Sequence, residues 1–361
     1  MKHSCRNLFG LAVCLAVTFC GLGNGEEKNT ENVLKPKFDV IDKHLKLQFP
    51  RDHGPHHSFR FEWWYITANL KDKFDYDHGA QFTLFRTALE PKITEEKGWN
   101  NTEVWMAHIA STDKNTHLVE EKFARGGISQ AGVTAYPFLA WIDNWRVSGK
   151  DLNKLELSVT GKKLSYYLEL EAYSPIIFHG KNGLSAKSDS GQASAYYSQP
   201  FYSASGWIEK NGIRHEVSGS AWLDHEWSSQ FLSRNQKGWD WFSLNFSTGE
   251  RLMLFKIRDE DGSQFYSGTI ANSDGSVINL NPRGISIKPV KFKKSYSNYP
   301  TEWRIKIKEL NVDILINALN PHSIMDTSIP YWEGPTKISG SHKGSGYLEM
   351  TGYEEKLFLK R

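Results

Sequence analysis

The chain has 361 residues and a formal net charge of +3, so it carries no strong electrostatic footprint for nucleic acid. Hydrophobic residues make up an ordinary 39%, yet aromatics reach 13% with 13 Trp, so large flat rings carry the apolar content. All three cysteines, Cys5, Cys14 and Cys20, lie close to the N-terminus, which removes disulfide staples, thiol redox chemistry and thiolate metal sites from the rest of the chain.

Lys2 and Arg6 precede an apolar run from Leu8 to Gly23 that glycines interrupt. That layout reads as an export signal and is too short for a comfortable membrane span. Residues 1–25 are expected to be cleaved near Gly25, leaving a soluble exported product, periplasmic or secreted. Phe19 is bulky where a lipid-anchor signal at Cys20 needs a small residue. Residues 26–36 form a polar leader ending at Pro36. His53-Gly54-Pro55-His56-His57 follows in a loop-like setting and lacks the regular spacing of zinc motifs, so neither a metal nor another cofactor is expected.

Beyond this point nearly every segment reads as β-strand. In Phe61-Glu62-Trp63-Trp64-Tyr65, a period of two puts Glu62 and Trp64 on one face and Trp63 and Tyr65 on the other. Gln81-Phe82-Thr83-Leu84-Phe85-Arg86 is strand-like, and Arg86 can pair with Glu62 in an apolar wall. His108, in Trp105-Met106-Ala107-His108, reads as a pocket residue or, as a lone strand histidine more often is, a satisfied core residue. Asn211-Gly212 suits a tight hairpin. Runs at 238–247, 250–258, 263–271 and 276–281, separated by glycine-bearing turns, predict a meander. Trp303-Arg304-Ile305-Lys306-Ile307-Lys308 alternates apolar and cationic residues, as a strand with one wet face does. No segment carries a capped apolar period of 3.6. The pattern predicts an all-β protein, a sandwich or up-and-down barrels, divided near residues 230–237.

The densest chemistry is Trp222-Leu223-Asp224-His225-Glu226-Trp227, followed by Gly238-Trp239-Asp240-Trp241. On a regular strand His225 and Trp227 face one way while Asp224 and Glu226 face the other, and only one set can see a barrel lumen. Acids ringed by indoles lose water and can hold a proton at neutral pH. The same run could instead tie a strand end to arginines and backbone amides, since buried charges must be paired. No phosphate loop, G-x-S-x-G elbow or H-E-x-x-H motif occurs in a fitting context.

Glu62-Trp63-Trp64-Tyr65, residues 193–200 (Ala193-Ser194-Ala195-Tyr196-Tyr197-Ser198-Gln199-Pro200), residues 222–227, Gly238-Trp239-Asp240-Trp241, Tyr331-Trp332-Glu333-Gly334 and residues 346–353 together resemble the AttH-like family. That family is labelled as secreted hydrolases and is related to carotenoid 1,2-hydratases. The resemblance implies two tandem lipocalin-like antiparallel β-barrels, here 37–233 and 234–361, in an exported protein associated with an ABC-type envelope transporter. It implies a hydrophobic, isoprenoid- or lipid-like ligand and, from the hydratases, acid-catalysed hydration or isomerisation of a C=C bond. On that reading Asp224 or His225 donates a proton, and Glu226 or Tyr197 receives one from water. Trp227, Trp239 and Trp241 then stabilise a carbocation by cation–π attraction, worth ~2 kcal/mol when desolvated. Glu62, Trp63, Trp64, Arg86 and His108 complete the expected pocket. Leu252-Met253-Leu254 is wholly apolar, which weighs against carotenoids as the substrate. A non-catalytic carrier or transporter accessory is the competing expectation.

Overall fold

The structure, a computed structural model, describes residues 37–91, 97–230, 232–233, 235–292 and 298–353. The expected export signal and leader lie outside the described residues. Two antiparallel sheets account for almost all of it, with helical structure confined to short 3-10 turns among the described residues.

The first sheet begins with β1 (Phe61–Asp72), β2 (Asp77–Ala88), β3 (Glu103–Asp113) and β4 (His117–Arg125). It continues through β5 (Ala131–Ala135), β6 (Phe138–Ile142), β7 (Trp145–Gly149), β8 (Lys154–Thr160) and β9 (Leu164–Ala172). Two short pieces, β10 (Ile177–Phe178) and β11 (Leu184–Ala186), precede the long hairpin of β12 (Ala193–Lys210) and β13 (Ile213–Ser228). Its order is β4-β3-β2-β1-β13-β12-β9-β8-β7-β6-β5, a meander whose two longest strands return to its middle.

The second sheet comprises β14 (Gln236–Phe246), β15 (Arg251–Asp259), β16 (Gln264–Ala271), β17 (Val277–Asn279) and β18 (Ile285–Phe292). β19 (Pro300–Ile307), β20 (Val312–Ala318), β21 (Ile324–Met325), β22 (Tyr331–Gly340) and β23 (Gly344–Met350) complete it, in the order β17-β16-β15-β14-β23-β22-β20-β19-β18. The four expected meander runs are β14 to β17. In β19, Trp303, Ile305 and Ile307 are buried while Arg304 and Lys306 are exposed, the predicted alternation. Asn211 and Gly212 both adopt positive φ, 50° and 81°, and close the β12–β13 hairpin as expected of that pair.

Each sheet curls around its own apolar core. Trp64, Phe82, Trp105, Trp145, Leu168 and Trp227 belong to the first; Phe242, Leu254, Trp303, Ile305, Trp332 and Leu348 belong to the second. A third cluster lies between the sheets, where Tyr65, Tyr196 and Trp222 meet Trp241, Met253 and Tyr347. β1 and β13 therefore have a barrel core on one face and the second sheet on the other. The last eight residues of β13 are all buried. A strand covered on both faces loses its polar alternation. Here ionisable groups and indoles stand on both sides instead.

Candidate functional site

Period-two geometry divides the central motif as expected: His225 and Trp227 point into the first barrel, while Trp222, Asp224 and Glu226 point into the seam. β13 pairs with β1 so that Trp64 lies opposite His225 and Glu62 opposite Trp227, while Tyr65 lies opposite Asp224 and Trp63 opposite Glu226.

Inside the barrel His225 is completely buried and both ring nitrogens are engaged. Nε2 meets Glu62 Oε1 at 2.8 Å, and Nδ1 meets the Tyr197 hydroxyl at 3.0 Å. The Tyr197 hydroxyl also lies 2.8 Å from His53 Nδ1. Glu62 Oε1 meets His56 Nδ1 at 2.7 Å, and Oε2 accepts from Arg86 Nε at 3.0 Å and from the His56 backbone N–H at 2.8 Å. Arg86 Nη1 donates to Glu103 Oε1 at 2.9 Å, and that oxygen also meets His57 Nδ1 at 2.6 Å. Burial would push the Glu62 carboxyl up, but His56, Arg86 and His225 together hold it well below its usual range. Burial lowers His225, and the Glu62 carboxylate only partly restores it. The result is an ionised carboxylate held by a guanidinium and imidazoles, with no spare proton on His225.

The seam has the opposite character. Asp224 Oδ1 accepts from the Tyr196 hydroxyl at 2.7 Å, from Trp222 Nε1 at 2.9 Å and from Ser198. Trp241 Nε1 from the second sheet donates to the Tyr196 hydroxyl at 3.1 Å. Asp224 Oδ2 is buried and has no hydrogen-bond partner among the described residues. Burial raises Asp224 to about 7 against the pull of those three donors, and the Glu226 charge adds to the rise. Three donors on one oxygen leave the proton on the other, so the protonated form of Asp224 presents an Oδ2–H to the seam. From the second sheet, Glu349 accepts from Trp239 Nε1 at 2.6 Å and is likewise raised to about 7, by burial and by the Asp224 and Glu226 charges. Tyr65 bonds to Glu333 across the seam; burial and the Glu349 charge push the Glu333 carboxyl well above its usual range. Glu226 itself is paired with Lys187 at 2.6 Å.

The AttH-like family model matches residues 40–353. The chain belongs to the AttH-like family. A solved AttH protein from Nitrosomonas europaea is 30% identical to this AttH-like chain, with a TM-score of 0.79 over 88% of this chain and all 100% of that one. Kievitone hydratase from Nectria haematococca shares the fold at 13% identity, with a TM-score of 0.63 over 88% of this chain and 97% of the other. No curated protein matches the chain.

The structure of this AttH-like protein thus separates residues that the sequence places in one pocket. Glu62, Trp64, Arg86, Tyr197, His225 and Trp227 gather in the barrel; Trp63, Asp224, Glu226, Trp239 and Trp241 gather in the seam. Trp227 cannot serve the same cation as Trp239 and Trp241, and Tyr197 cannot serve the same water as Glu226, because a sheet stands between them. His108 also faces the second sheet, where Nδ1 lies 2.9 Å from the Tyr331 hydroxyl and Nε2 lies 3.0 Å from Glu121 Oε1. Sequence reasoning missed Tyr196, Glu333 and Glu349 as members of the seam, although each sits in a motif that carried the family resemblance. It also read residues 53–57 as a plain loop. His53 is in fact buried, and the ring of His56 stacks on Trp227 at 3.8 Å and 8°.

A groove of about 270 Å³ opens at one end of the seam, lined by Asn69, Ser220, Pro335, Thr336 and Ser345 among others. Ser220 and Asn69 lie four residues along their strands from Asp224 and Tyr65, roughly 13 Å. In that interval Thr67 Oγ1 and Gln81 Oε1, on paired residues of β1 and β2, are buried and without a hydrogen-bond partner among the described residues, as are Ser243 Oγ, Thr336 Oγ1 and the Tyr347 hydroxyl on the second sheet. Polar atoms so placed suit a file of water or a polar ligand end.

Proposed function

We propose that this protein binds an apolar, unsaturated small molecule in the seam between its sheets and protonates a C=C bond there through Asp224, leading to hydration or isomerisation. The observation that carries the reading is Asp224 itself: a buried carboxyl raised to about 7, with three donors on Oδ1 and none on Oδ2, surrounded by Trp222, Trp241 and Tyr196. The likeness in fold to a hydratase supports the reaction class. His225 is the weaker acid candidate because both its nitrogens are already held and burial disfavours its charged form.

In the reaction, the Oδ2–H bond breaks as a C–H bond forms from the alkene π pair, leaving a carbocation on the neighbouring carbon and a carboxylate on Asp224. Indole faces attract that cation. Water from the polar file adds its oxygen lone pair, and its proton returns to Asp224 to restore the acid. Loss of a proton from the adjacent carbon to the Asp224 carboxylate, with its C–H pair forming the new C=C bond, instead gives the isomer and restores the acid. Glu349, raised likewise to about 7, is in large part protonated below neutrality, and in that form it does not trap the cation as an ion pair.

We also propose export, on the signal-like residues 1–25, with service to an envelope transporter as the wider context. The test is incubation of the protein with linear isoprenoids and prenylated phenols in deuterated water, with products read by mass spectrometry. Wild type should give products carrying carbon-bound deuterium, and Asp224→Asn should bind a fluorescent polyene equally well while product formation falls by about 10²–10⁴-fold. Binding of the polyene with no product from any alkene would transfer the chain to the carrier class. Unchanged turnover in Asp224→Asn would remove Asp224 from the chemistry.

A further inference from the structure

We propose that His56, Glu62 and His225 form a binding site for one divalent transition-metal cation, Zn²⁺ being the natural occupant, inside the first barrel and apart from the seam. The converging atoms are His56 Nδ1, Glu62 Oε1 and His225 Nε2, all within 4.8 Å of one another. Two imidazoles and one carboxylate are a donor set that zinc takes in sites keeping a coordination position open. Both histidines now meet the shared oxygen directly, at 2.7 and 2.8 Å. Tetrahedral coordination at about 2.0–2.1 Å spaces its donors roughly 3.3 Å apart, so each ring would retreat about half an ångström from the shared oxygen.

Each donor is also held in place from behind. Metal-ligating histidines donate their other N–H to a fixed acceptor, which sets the tautomer and the ring orientation. His56 Nε2 faces Asp52 Oδ1 at 3.6 Å. His225 Nδ1 faces the Tyr197 hydroxyl at 3.0 Å, which can accept that N–H while donating its own hydrogen to His53 Nδ1 at 2.8 Å. Arg86 and the His56 backbone hold the far oxygen, Glu62 Oε2, and leave Oε1 to the histidines. Ring stacking fixes both imidazoles, His56 on Trp227 at 3.8 Å and His225 on Trp64 at 4.6 Å. The His56 side chain is 17% exposed against 0% for Glu62 and His225, so an ion has an approach from the His56 side.

A second group, Asp72, His78 and His215, has similar composition but not this support. There the Lys210 ammonium lies 3.3 Å from His78 Nδ1, where a metal-bound His78 would have to present an N–H. It serves as the internal control.

The experiment is titration of chelator-treated full chain with Co²⁺ alone, followed by its visible d–d absorption, and then displacement by Zn²⁺ alone. One equivalent of Co²⁺ should give a saturable spectrum that one equivalent of Zn²⁺ abolishes. His56→Gln, at the partly exposed position, should lose the spectrum, Tyr197→Phe should weaken binding by about tenfold through loss of the outer hydroxyl, and His215→Ala should change nothing. Near-UV circular dichroism checks that each variant is folded; if His56→Gln is not, the comparison of Tyr197→Phe with His215→Ala decides. A wild-type chain that yields no saturable spectrum overturns the site, as does a spectrum that follows His215 rather than His56 and Tyr197. Neither result bears on Asp224 and the alkene chemistry of the seam.

Discussion

Asp224 and His225 are adjacent in sequence and share complete or near-complete burial, yet they hold protons in opposite senses. Burial and the neighbouring Glu226 carboxylate favour the acid form of Asp224 against the pull of its three donors; around Glu62 the imidazoles and the guanidinium overcome burial and favour the base form. The consequences for stability are opposite too. Asp224 moves from an ordinary 3.8 to about 7 on folding, and Glu349 from 4.5 to about 7. Between those values the folded chain binds more protons than the unfolded one, so their contribution is largest in acid and declines as pH rises towards 7, by up to about 1.4 kcal/mol per pH unit for each group. Glu62 is depressed, so its contribution is present above its ordinary 4.5 and fades as pH falls below it. Denaturant unfolding measured from pH 5 to 7 should therefore show Asp224→Asn flattening the decline on the neutral side. Glu62→Gln should lower stability throughout, because it leaves Arg86 and its neighbours facing an uncharged group and removes the carboxylate that raises His56 against burial. Equal slopes in wild type and Asp224→Asn would contradict the protonated state assigned to Asp224.

At the scale of the element, β1, β2 and β13 are two-sided strands, and the second sheet approaches them closely enough to forbid some side chains. Gly79 on β2 is the clearest case: a Cβ there would meet the Tyr347 hydroxyl at 2.5 Å and Pro335 Cγ at 2.7 Å. Pro335 and Tyr347 are paired neighbours on β22 and β23, so neither can withdraw without moving the other. Gly79→Ala should thus lower stability by about 1–3 kcal/mol, the usual penalty for overpacking, and should shift Tyr347 fluorescence or its NMR signals. A neutral effect in urea unfolding would mean that the sheets yield at this point. Gly79→Ala tests the seam without touching either cluster of ionisable groups.

At the scale of the whole molecule, two separate cores are joined by a seam that is itself partly apolar. Trp241 is central to that joint, with its ring 5.3 Å from Tyr65 and its N–H on Tyr196. Truncation of a buried indole of this kind typically costs about 3–5 kcal/mol. Trp241→Ala should weaken the coupling as well as the total, so calorimetry should resolve two transitions where wild type shows one. A single transition lowered in temperature would instead indicate that the remaining contacts suffice to keep the halves cooperative.

Composition and periodicity by themselves determined the β character, the hairpin at Asn211-Gly212, the meander of β14 to β17 and the division of His225 from Asp224, because side-chain alternation is a property of one strand alone. The pairing of Arg86 with Glu62 was legible for the same reason, since both are strand residues near in sequence. What covers each face is a property of two sheets. Only the tertiary structure put Trp239, Trp241, Glu333 and Glu349 across the seam from Asp224, moved Tyr197 to the other side of the sheet, and folded His53 and His56 into the barrel. Contacts such as Tyr197–His225 and Tyr65–Glu333 join residues 28 and 268 positions apart in the chain, and the burial they create decides which carboxyl keeps its proton and which gives it up.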